Sequence, residues 1–77
     1  MPLEKIDRVM AKFRVAMLKK FHKKEAEGYT GWDKQPSWND LVSGLFEHVG
    51  DKQFDEDNLI DIALYCLFLW NLEKEMD

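Results

Sequence analysis

Between Leu59 and Trp70 every residue except Asp61 is apolar or aromatic, and this run constrains the fold more than any other part of the chain. Twelve residues rise about 18 Å as a helix, short of the roughly 30 Å hydrocarbon core of a bilayer, so a buried helix is expected rather than a membrane span. Its apolar surface runs all the way round, and a helix of that kind needs cover on every side. The chain has little else to offer. At 77 residues it is one small domain, 1–77, and a core of this size rarely supplies more than roughly 3–5 kcal/mol. Its one cysteine, Cys66, cannot form an internal bridge. A reducing, cytoplasmic setting is expected, with a metal or a second copy of the chain as the staple.

Two further helices are expected. Ile6, Val9, Met10, Phe13, Met17 and Phe21 recur at spacings of three and four and predict an amphipathic helix over 3–26. Gly28, Gly31 and Pro36 punctuate a loop. Ser37, with Asp40 three residues on, reads as a capping-box-like start to a helix over 37–50, carried by Trp38, Leu41, Val42, Leu45, Phe46 and Val49. Asp55, followed by Glu56 and Asp57, caps a third helix over 55–74. The fold class is therefore all-α, a three-helix hairpin or bundle completed by oligomerisation, because two amphipathic helices cover only about half of the third.

Charge is divided along the chain. Residues 1–27 carry eight Lys/Arg against four carboxylates, whereas the remainder carries three against eleven, giving a net charge of −4 overall. The acidic balance argues against sequence-independent binding of nucleic acid. The local run from Lys19 to Lys24 is either a solvated helix end, whose cations suit the C-terminal dipole, or a phosphate site formed by Lys20, Lys23 and Lys24. The basic amphipathic first helix is also suited to docking on a host protein.

Asp61 is the residue that demands an explanation, since a carboxylate in an apolar helix is costly unless paired, ligated or protonated. Asn58 precedes it by one turn on the same face, and Glu47 and Asp51 share a face of the second helix with His48 beside them. Oxygen-bearing side chains from two facing helices are the hard ligands of magnesium or manganese. The alternative is an ordinary solvated helix end, with Asp61 paired locally. Trp32 and Trp38 bracket the loop; Trp38 falls in register with the core, and Trp32 is more open and suited to stacking a nucleobase. P-loop, dinucleotide and zinc signatures are absent from the sequence.

The order of these pieces, Gly31-Trp32-Asp33, then Leu41 to Val49 ending Leu-Phe-Glu-His-Val, then Ile60 to Trp70, resembles the small all-helical MazG-like nucleotide pyrophosphohydrolases of bacteria and their phages. The Trp32–Trp38 spacing and the stretch Glu47 to Asp51 are also similar to the amino-terminal module of phage dATP/dGTP diphosphohydrolases. The MazG-like resemblance implies a magnesium-dependent cleavage of a nucleoside triphosphate to monophosphate and pyrophosphate, with Glu47 and Asp61 catalytic and Glu47, Asp51 and Asp61 on the metal. It carries His48 and Asn58 into the nucleotide site by position, and the basic run and the open loop add Lys20, Lys23 or Lys24 on the phosphates and Trp32 on the base. His48 and Asn58 stand where that family has carboxylates, so the metal motif is degenerate. A protein that retains nucleotide or host-protein binding without turnover, in a host cytoplasm if phage-encoded, is the alternative reading.

Overall fold

A computed structural model of the chain describes residues 3–34, 37–50 and 54–76. It is all-α: α1 spans Leu3–Ala26, α2 Trp38–Gly50 and α3 Glu56–Met76. The apolar α3 lies centrally and packs on both α1 and α2. None of the described helices is long and apolar enough to cross a membrane.

The core follows from the four-residue spacing along α3. Ile60, Leu64, Phe68 and Leu72 form one stripe and meet Leu41 of α2, all five being buried. Ala16, Met17 and Phe21 close this core from α1, which itself has no fully buried residue. The stripe runs along only one side of α3. Leu59, Cys66, Leu67 and Trp70 remain exposed on the other, so the expectation that the whole run is buried holds for one side of the helix within a single chain.

The helix ends are set by local chemistry. Asp55 caps α3 as expected: its Oδ1 accepts the backbone N–H of Asn58 at 2.8 Å and its carbonyl accepts that of Leu59 at 3.0 Å. α1 stops because Gly28 takes the left-handed region (φ 91°). Its N–H donates to the Glu25 carbonyl and that of Tyr29 to the Lys24 carbonyl, each at 2.9 Å. This turn brings the Tyr29 ring to 5.7 Å from the Lys24 ammonium. Ser37 departs from the capping box. Its hydroxyl donates instead to the Gly31 carbonyl at 2.6 Å, closing the loop rather than the helix. Gly31 also needs a positive φ, 84°.

Trp32 is less open than its Gly-Trp setting suggests. Its ring lies 4.9 Å from Phe68, tilted, and meets Phe21 edge-on at 5.6 Å. The loop thereby folds back as a lid on the core, and Trp38 packs beside it. On α2, Gly44 is required by a close approach, because a Cβ there would fall 2.7 Å from the Tyr65 ring.

Candidate functional site

Two helices that share no sequence proximity bring the charged groups together. Asp61, 8% exposed within the apolar stretch of α3, faces the last turns of α1. Lys20 Nζ lies 3.5 Å from its Oδ2, and Lys24 Nζ 3.5 Å from its Oδ1. The four-residue spacing of the lysines puts both ammonium groups on one face of α1, above the carboxylate. Both are themselves largely covered, so the ions meet in a partly desolvated place where attraction is stronger than at the surface. Lys20 also reaches Asp57 at 3.6 Å, and that carboxylate is 84% exposed. Asp61 Oδ1 is buried and has no hydrogen-bond donor among the described residues, its compensation being the charge of Lys24.

Asn58 and His48 form a second pair. The Asn58 amide donates to the His48 carbonyl at 3.0 Å, which leaves Asn58 Oδ1 to accept from His48 Nδ1–H at 2.8 Å. The bond fixes the histidine as the Nδ1–H tautomer when neutral. The imidazole lies against Tyr65, centroid to centroid 5.3 Å. Both side chains therefore use polar groups on each other that the metal reading assigns to a ligand. Glu47 is exposed on α2, and Asp51 lies outside the described residues.

The fit to a resident divalent cation can be judged from these positions. Asp61 offers one orphaned oxygen, but two ammonium groups stand where a cation would sit, and Asn58 Oδ1 is engaged. Among the described residues no group of three or more His, Cys, Asp or Glu side chains converges. The described residues do not by themselves make up a metal-binding set, and Asp51 lies outside them.

A small polar and aromatic cleft of about 170 Å³ opens beside the charged cluster, lined by Tyr29, Thr30, Trp32, Ser37, Asp40, Leu41 and Tyr65. Burial pushes both its phenols above their ordinary value of 10.0; Asp61 and then Glu47 raise Tyr65 further, and Tyr65 and Asp40 raise Tyr29. Tyr29 belongs both to this cleft and to the lysine cluster, through the Lys24 ammonium over its ring.

Of the residues singled out in the sequence, Lys20, Lys24 and Asp61 meet, His48 pairs with Asn58, and Trp32 borders the cleft. Lys23 is exposed and His22 pairs with Glu25 at 3.5 Å, so neither belongs to the Asp61 cluster. Sequence reasoning missed Tyr65 and Asp57. A signal for Tyr65 existed, since it follows Asp61 by four residues on the same face of α3. Comparisons with protein-family models, curated proteins and solved structures found no match for the chain.

Proposed function

We propose that the chain is a small MazG-like protein that binds a nucleotide, with the phosphates on Lys20 and Lys24 and the base at the cleft beside Trp32. The observation that carries this reading is the sharing of Tyr29 between a cluster of two lysines and an aromatic, polar-edged cleft. Phosphate needs fixed cations, and a base needs a π-face with polar groups at its edge. The cleft is smaller than the roughly 300–1,000 Å³ that encloses a whole small molecule, which suits a base with its phosphates outside.

In this reading Asp61 is a positioning residue. It holds two flexible side chains in one geometry before the ligand arrives, which lowers the entropy lost on binding. Asp57, exposed and bound only at its end to Lys20, is the carboxylate that a phosphate oxygen displaces. Magnesium or manganese enters with the phosphates of the ligand rather than as a resident ion. A second reading, turnover to monophosphate and pyrophosphate, requires a cation that arrives in this way to displace the Lys24 ammonium from Asp61 Oδ1, which accepts no hydrogen bond among the described residues. Self-association of the chain also belongs to the proposal, since one face of α3 is uncovered.

A thermal-shift screen against nucleosides, mono- and triphosphates, each with and without magnesium, tests the reading. A ligand at 100 times its Kd adds about 2.7 kcal/mol to the folded state. Stabilisation that increases from nucleoside to triphosphate supports nucleotide binding, and metal-dependent pyrophosphate release that is lost in Asp61→Asn supports turnover. No stabilisation by any nucleotide overturns both and directs attention to a protein partner.

A further inference from the structure

The surface of this chain is too large for its mass. A compact folded monomer of 9.2 kDa exposes about 4,900 Å². Here the exposed area is 6126 Å². The excess of about 1,200 Å² exceeds the roughly 800 Å² that each partner contributes to a stable interface. Exposed apolar side chains contribute to it, and Val9, Met10, Phe13, Leu18 and Leu67 gather around one groove. This open groove of about 830 Å³ runs between α1 and α3, floored by Leu64, Leu67 and Phe68.

One stripe of α1, which lines that groove through Asp7, Met10, Ala11, Arg14 and Leu18 and continues to Leu3, is complementary to itself. Leu3, Asp7, Met10, Ala11, Arg14 and Leu18 fall on one stripe of the helix, and all are exposed. Leu3, Met10 and Leu18 are 78%, 62% and 44% exposed. The stripe reads the same in both directions about its midpoint between Met10 and Ala11. Leucines stand at its ends, and Asp7 and Arg14 stand at equal distances from the centre with opposite charge. Two turns apart, about 10 Å along the axis, these two side chains are too far apart to pair within their own helix. Neither is ion-paired among the described residues. In a two-fold pairing each meets the other twice, as an interface between identical surfaces requires.

We infer that a second copy of this chain covers the groove, its α1 antiparallel to the first. The register sets Leu3 against the partner's Leu18, Asp7 against the partner's Arg14, and Met10 against the partner's Ala11. The pairing covers the groove, Leu67 included, and supplies the staple that a chain of 77 residues needs. It deepens the self-association named above and is independent of the nucleotide site.

Sedimentation equilibrium of the full chain tests the inference, with circular dichroism confirming that each variant is helical. The wild type is expected at twice 9.2 kDa. Asp7→Arg and Arg14→Asp, each placing like charges opposite one another, are expected to weaken association about tenfold or more, and the double exchange to restore it. Met10→Glu is expected to leave a helical monomer. A wild type that stays at the monomer mass through high micromolar concentration overturns the inference, leaving the groove to an apolar ligand or another protein. A double exchange no tighter than the single variants, or a dimer that survives Met10→Glu, overturns it as well. Nucleotide stabilisation measured on Arg14→Asp reports separately on the nucleotide site.

Discussion

Replacing Lys20 and Lys24 by methionine leaves Asp61 buried without a counter-ion, whereas replacing Asp61 by asparagine leaves two lysines with stems long enough to reach water. At the observed 3.5 Å a pair of unit charges attracts by about 5 kcal/mol with an effective dielectric near 20, before the cost of desolvation is subtracted. Removing the partners of a buried charge costs roughly 3–5 kcal/mol, mostly as the penalty on the charge left behind. The asparagine variant loses one polar interaction set, and its lysines extend outward, for a cost of about 1–2 kcal/mol. The double lysine variant is therefore the less stable, and adding Asp61→Asn to it recovers about 2 kcal/mol. Urea unfolding followed by circular dichroism gives each value. If the double variant is too unstable to measure, Lys24→Met with and without Asp61→Asn gives the same comparison. An Asp61→Asn cost equal to that of the lysine pair, or a further loss when the changes are combined, refutes the account of Asp61 as a buried anion held by α1.

Two other consequences are open to measurement. Gly44→Ala puts a Cβ 2.7 Å from the Tyr65 ring, so overpacking of about 1–3 kcal/mol outweighs the helix-propensity gain of up to about 1 kcal/mol. Thermal unfolding should show a net loss that Tyr65→Ala relieves in the double variant. The phenols of Tyr65 and Tyr29 have folded-state values raised by burial and by neighbouring negative charge, so both stay protonated in the folded chain after the unfolded chain has begun to ionise. Their contribution is complete below pH ~10 and is lost as pH rises through the folded values. Stability followed from pH 9 to 11 should fall, and Tyr65→Phe should flatten that fall.

The helices were legible because their determinants are local. The three- and four-residue spacings of α1 gave Leu3–Ala26 directly, and the Asp-Glu-Asp entry to α3 placed its cap at Asp55. Asp61 was legible as an anomaly for a general reason, the cost of a charge among apolar neighbours. Its partners were not. Lys20 and Lys24 are more than thirty residues away on another helix, and no spacing rule relates them to Asp61; only the packing of α1 across α3 does. The same limit explains Glu47, which a facing-helix argument turns inward and the register of α2 turns outward. Ser37 misled because a serine three residues before a carboxylate fits a capping box, while the positive φ at Gly31 presents a nearer acceptor for its hydroxyl. Trp32 reads as open in a glycine-flanked turn, but the loop is short enough to fold it onto Phe21 and Phe68.

The nucleotide reading is tested most directly by following backbone amide and indole signals by NMR while a nucleoside triphosphate with magnesium is added. Saturable shifts concentrated at residues 20–24, at Tyr29 and the Trp32 indole, and at residues 57–61 are the predicted result, with the same titration of Asp61→Asn weakened because the lysines are no longer held. An unchanged spectrum, or shifts confined to Leu3–Leu18 and the groove beyond it, contradicts the account.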